Sequence, residues 1–126
     1  MRRVLIVEDD PRLREMYRMA LRAAGYAVVA VEDGTDALRQ IEQAIPALVV
    51  LDLALPRLGG QDVYRELKAR ADTRDVPIVV VTGTDLSEAE ARDFANVLRK
   101  PCDADRLVSA VTLSLRRAGG GLLQPS

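Results

Sequence analysis

The sequence predicts an open, doubly wound α/β sheet, and three observations carry that expectation. Apolar runs recur as VLIV (4–7), AVVAV (27–31), ALVVL (47–51), PIVVV (77–81) and the shorter VL (97–98). They are continuous rather than alternating, the habit of parallel strands covered on both faces. Amphipathic helical spacing fills the gaps, so strand and helix alternate five times with right-handed crossovers. At 126 residues the chain can bury one core, whereas a closed eightfold barrel needs about twice the length.

Each element has its own local reason. Strand one, VLIV, stops at Glu8. Helix one follows Asp10-Pro11, a capping residue and a first-turn proline, and repeats apolar positions at Leu13, Met16, Tyr17, Ala20, Leu21 and Ala24. Asp33-Gly34-Thr35 starts helix two after strand two. Strand three ends at Asp52, and LGGQ (58–61) opens helix three. Strand four ends at Thr82-Gly83. Ser87 and Glu90 form a capping-box pair for helix four. Strand five runs into Arg99-Lys100-Pro101, and Asp103 caps helix five, whose apolar positions are Leu107, Val108, Val111 and Leu115. The expected domain is 1–118, and the glycine-rich 119–126 reads equally as a linker or a frayed end.

Composition removes several function classes. Formal net charge is −1, so the domain offers no positive field for direct nucleic acid binding. The first apolar run is too short to span or target a membrane. A single cysteine, Cys102, forbids an internal disulfide and suits a cytoplasmic home. With no histidine in the chain, a histidine base, nucleophile or zinc ligand is excluded.

In open parallel sheets, ligands sit beyond the carboxyl ends of the strands at the switch point. In the expected flavodoxin-like order 2-1-3-4-5, Glu8, Asp9 and Asp52 converge there. Three neighbouring carboxylates repel unless a cation is present, and Mg²⁺ prefers this type of oxygen site. Asp52 can then attack phosphorus and form an aspartyl phosphate, with Lys100 and the Thr82 hydroxyl meeting the phosphoryl oxygens. Of the 18 basic residues 16 are arginine, and Lys100 is one of two lysines, which favours a compact ammonium at that position.

VEDDP, LDLALP, VVVTG and LRKP, in that order with helical spacers, resemble the receiver domain of bacterial two-component response regulators over residues 2 to about 117. The resemblance implies Asp52 as phospho-acceptor, Asp9 as a direct Mg²⁺ ligand, Glu8 as a ligand through water, and Ala54 as a ligand by its backbone carbonyl. Thr82 matches the switch hydroxyl and Lys100 the salt-bridging lysine, with a cis Lys100-Pro101 bond. Asp10 is left as a structural cap. The implied partner is a histidine kinase or histidine phosphotransfer protein of a phosphorelay, supplying a phosphohistidine. The domain would catalyse only its own phosphoryl transfer and autodephosphorylation.

Departures from the family pattern are specific. Val97 stands where an aromatic is usual, so signal passes instead through the loop after strand four and the backbone. The Thr82–Lys100 interval is short by about one helical turn, which implies a stunted fourth helix and a monomer or weak dimer. Gly59 replaces a capping acid or asparagine, which implies a looser start to helix three. Cys102 replaces a phenylalanine and reads as a core filler. Thr84 and Ala54 flank the site and are expected to tune phosphoryl lifetime, while Arg14, Arg18 and Arg22 read as a solvated helix face. Two other classes compete: a haloacid-dehalogenase-type phosphatase, which needs an acid where Ala54 stands, and a degenerate receiver acting as a constitutive interaction module.

Overall fold

The computed structural model describes residues 1–55 and 59–123. Pro56 of LDLALP and Leu58 of LGGQ fall outside them. The chain order is β1 (Arg3–Val7), α1 (Pro11–Ala23), β2 (Ala27–Val31), α2 (Gly34–Gln43), β3 (Leu48–Leu51), α3 (Gly60–Ala69), β4 (Ile78–Thr82), α4 (Glu88–Ala91), β5 (Asn96–Arg99) and α5 (Ala104–Leu123). All strand pairs are parallel, and the sheet runs β2-β1-β3-β4-β5 as expected.

Side chains alternate across the pleat, so each strand feeds two cores. Val4, Ile6, Leu48, Val50, Val79, Val81 and Leu98 pack with Tyr17 and Leu21 of α1 and Leu107, Val111 and Leu115 of α5. Leu5, Val7, Val49, Leu51, Ile78 and Val80 pack with Ala37 and Ile41 of α2 and Val63 and Leu67 of α3. The central strands β3 and β4 are wholly buried. Strand β2 is apolar throughout yet half-buried along its length, because an edge strand has a neighbour on one side only.

The capping signals act as their chemistry requires. Asp10 accepts from the amides of Arg12 and Leu13, Asp33 from Asp36, and Asp103 from Arg106. Ser87 and Glu90 exchange side-chain and backbone bonds around α4, which is one turn long. At Gly59, with no side chain to cap α3, the Asp62 carboxylate instead accepts the Gly59 amide at 3.2 Å. That is half of a box, with the reciprocal bond missing. The Lys100-Pro101 bond is cis.

Helix α1 ends in a Schellman motif. The Tyr26 amide donates to Leu21 O at 3.1 Å and the Gly25 amide to Arg22 O at 3.0 Å, with Gly25 at φ +102°. An added Cβ would meet no atom within 4 Å, so Gly25→Ala isolates backbone strain from packing. Denaturant unfolding of Gly25→Ala should show a loss of about 1 kcal/mol; unchanged stability would mean that this turn relaxes freely.

Helix α5 carries its helical backbone to Leu123, past the expected domain end at 118. Each glycine costs about 1 kcal/mol relative to alanine, which is why the glycine run reads as a stop. An established helix nonetheless propagates one bond per residue, and no proline intervenes before position 125. No described helix is long and apolar enough to cross a membrane.

Candidate functional site

Glu8 and Asp52 occupy the first positions beyond adjacent central strands. The Asp52 amide donates to Val7 O at 3.0 Å and the Glu8 amide to Val31 O at 3.1 Å, so the ladders hold both backbones in place. Both side chains are buried, Glu8 at 1% and Asp52 at 4% exposure, while Asp9 is exposed. Carboxylate oxygens of Glu8, Asp9 and Asp52 lie within 4.8 Å of one another.

Lys100 enters this cluster from the end of β5. Its Nζ lies 2.9 Å from Glu8 Oε1 and 3.0 Å from Asp52 Oδ2. Asp52 Oδ1 accepts the Ala54 amide at 2.9 Å. The two oxygens of Asp52 are thus assigned to different partners, which holds the carboxylate in one orientation. Glu8 Oε2 accepts the Asp10 amide at 3.2 Å. Its Oε1 is ion-paired with the Lys100 ammonium at 2.9 Å and has no further partner among the described residues.

Electrostatics follow from burial. Loss of water pushes the Glu8 carboxyl from 4.5 up to about 7, with Lys100 offsetting part of the shift and the Asp52 charge adding to it. Burial alone would lower Lys100, but its bonds to Glu8 and Asp52 prevail and push it up to about 12. One ammonium faces three acids. The pocket therefore carries excess negative charge and an all-oxygen donor set, and these residues suit a hard divalent cation.

The other expected residues are placed less directly. Thr82 closes β4 and is buried. Its hydroxyl lies 3.1 Å from the Thr84 hydroxyl and accepts the Thr84 amide at 3.2 Å. Val97 is half-buried against the α2/α3 core. The chain's one phenylalanine, Phe94, packs edge-on to Tyr64 of α3 at 5.1 Å. Cys102 is buried, and burial raises its thiol pKa, as a core filler should behave.

Some contributions escape a reading along the chain. Arg14 is more than solvated surface: its guanidinium donates to Glu8 O at 3.0 Å and Asp9 O at 3.3 Å, bracing the acidic loop. Gly60 is another. A Cβ there would lie 2.4 Å from Asp52 O and 2.5 Å from Leu53 Cα, so α3 starts directly against the backbone of Asp52. The available signal was the second glycine of Gly59-Gly60. Tyr17 is the third: its ring packs in the core as the periodicity predicts, but its hydroxyl has no partner among the described residues.

Known proteins share this fold. The response regulator receiver domain model matches residues 4–112. Response regulator MprA of Mycobacterium sp. (strain KMS) and DNA-binding response regulator MtrA of Mycolicibacterium smegmatis are each 39% identical over 122 residues, 91% of this chain and 51% of theirs. The chain therefore spans about half the length of the curated relatives it matches. Among solved structures, the signal receiver domain of a protein assigned as a Luxo repressor in Vibrio parahaemolyticus superposes with a TM-score of 0.85 at 33% identity, covering 99% of this chain and 98% of that one. The signal receiver domain of a signal transduction histidine kinase from Syntrophus aciditrophicus gives 0.81 at 27% identity, covering 93% and 92%. With the strand order, the acid cluster and the lysine all in place at the same sheet edge, the chain belongs to the response regulator receiver domain family.

Proposed function

We propose that the chain is a phospho-accepting signalling switch with Asp52 as the acceptor. The observation that carries this reading is the orientation of the Asp52 carboxylate, buried at the switch point and split between the Ala54 amide and the Lys100 ammonium. An Asp52 oxygen attacks the phosphorus of a phosphohistidine on a partner histidine kinase or histidine phosphotransfer protein. The new O–P bond forms as the N–P bond breaks, and the imidazole leaves as the neutral base once protonated. Asp9, Asp52, the Ala54 carbonyl and, through water, Glu8 would hold Mg²⁺, which would supply positive charge to the phosphoryl oxygens.

The chain's own groups do the remainder. Lys100 is already poised on Asp52 and pairs with a phosphoryl oxygen. The Thr82 hydroxyl turns from Thr84 to donate to another, drawing the loop after β4 with it. A groove of about 640 Å³ lined by Leu13, Met16, Lys100, Pro101, Cys102 and Asp103 offers the donor an approach beside Lys100. The lone turn of α4 and Val97 at the aromatic position favour output through that loop.

The test is to incubate the protein with Mg²⁺ and acetyl phosphate and follow intact mass. One added phosphoryl group, absent when the metal is chelated, is the expected result. No adduct together with no binding of beryllofluoride would sink the reading and favour a constitutive interaction module.

The acid cluster also makes a pH prediction. Because the Glu8 carboxyl is raised from 4.5 to about 7, its contribution to metal-free stability is full below about 4.5 and is lost as pH rises to about 7. Binding of a cation to the ionised cluster restores that loss. The melting-temperature gap between Mg²⁺ and chelator should therefore widen from pH 4.5 to pH 7. A gap that is flat across this window would show that Glu8 is not desolvated as described.

A further inference from the structure

Among the described residues the buried Tyr17 hydroxyl has no hydrogen-bond partner, and the buried Glu8 Oε1 has only the Lys100 ammonium, at 2.9 Å. An orphaned buried polar atom is uncommon and costly, and a buried donor on the same face of the sheet as an acceptor with spare capacity points to a shared interaction. Strand parity puts both on one face of the sheet. Val4 and Ile6 face the α1/α5 layer, and the pleat continues one residue further because the Glu8 amide still donates to Val31 O. Glu8 therefore turns to the same face as Tyr17.

Tyr17 lies one helical turn beyond Leu13 on the core side of α1, wholly buried. The charged and titratable groups that act on its hydroxyl are Glu8 first, then Cys102, Lys100 and Asp52. All but Cys102 belong to the acid pocket. An aliphatic residue would fill this core position without needing a partner, whereas a phenol brings a donor into a pocket rich in acceptors.

We propose that Tyr17 is a positioning residue for the acid pocket, its hydroxyl donating through one water to Glu8 Oε1 and so fixing the Glu8 carboxylate toward the cation. This rests on the metal-binding reading above. Groups that orient a metal's ligands commonly govern affinity without touching the metal.

The experiment compares wild type, Tyr17→Phe, Glu8→Gln and the double variant. Mg²⁺ affinity is measured by calorimetry and metal-free stability by urea unfolding, with Leu21→Val as a structural control. Tyr17→Phe should weaken Mg²⁺ binding roughly three- to tenfold. It should have no further effect in the Glu8→Gln background, and the two substitutions should be non-additive in the urea midpoint without metal. Leu21→Val should lower the urea midpoint and leave Mg²⁺ affinity unchanged. Unchanged affinity in Tyr17→Phe, or an equal penalty with and without Glu8, would overturn the proposal. Wild type that binds no Mg²⁺ would overturn the metal reading and this inference with it, so binding by wild type separates the two failures.

Discussion

Asp52→Asn should abolish the phosphoryl adduct, lowering its rate of formation by at least about a thousandfold, as expected when a nucleophile is removed. The amide nitrogen carries no charge and its lone pair is delocalised, so it is a poor nucleophile for phosphorus. The structure explains why the effect should be chemical and not a loss of fold. Asparagine keeps the shape of the side chain, and its carbonyl can still accept the Ala54 amide that Asp52 Oδ1 accepts at 2.9 Å. Lys100 loses Asp52 but keeps Glu8 at 2.9 Å. Removing one of three crowded acids also relieves repulsion. A melting temperature within a few degrees of wild type, beside no adduct by intact mass, is the expected pair of results. An adduct formed at the wild-type rate would place the acceptor elsewhere, with Asp9 the first residue to test.

Gly60→Ala should be among the most damaging single-methyl changes in the chain. The added carbon would sit 2.4 Å from Asp52 O and 2.5 Å from Leu53 Cα. Both are backbone atoms just beyond β3, and neither can rotate away as a flexible side chain could. Overpacking of this kind costs about 3 kcal/mol, or roughly 10 °C in melting temperature for a domain of this size. Any relaxation must move the β3–α3 connection and with it the Asp52 carbonyl, so phosphorylation should slow even in the surviving folded fraction. Gly59→Ala is the matched control. Its new carbon would meet only Asp62 Oδ2, at 3.7 Å, an ordinary contact, and the φ of −71° suits alanine. Thermal melts of the two variants should differ sharply. Equal melts would mean that α3 is not seated on β3 as described.

Most of the fold was legible in the sequence because its signals are local. VLIV, ALVVL and PIVVV announce buried strands by continuity, and Asp10, Asp33, Ser87 and Asp103 announce helix starts within one turn. The shortened Thr82–Lys100 interval foretold the single turn of α4. The burial of AVVAV was overestimated from its unbroken apolar run, although the expected order 2-1-3-4-5 already put that strand at an edge. The helical run to Leu123 was also missed, because glycine propensity weighs less than continuation of a formed helix.

What the sequence determined by itself was an ordered set of elements and the residue types at their ends: acids after strands one and three, a hydroxyl after strand four and a lysine after strand five. What only the tertiary structure decided was who meets whom. Lys100 reaches both Glu8 and Asp52, Arg14 braces the carbonyls of the acidic loop, Gly60 abuts the backbone of Asp52, and the Tyr17 hydroxyl lies on Glu8's face of the sheet. The physical reason is that periodicity and capping act across a turn or a single strand. Contacts between residues tens of positions apart depend on strand order, on the parity of the pleat and on how closely each helix seats against the sheet.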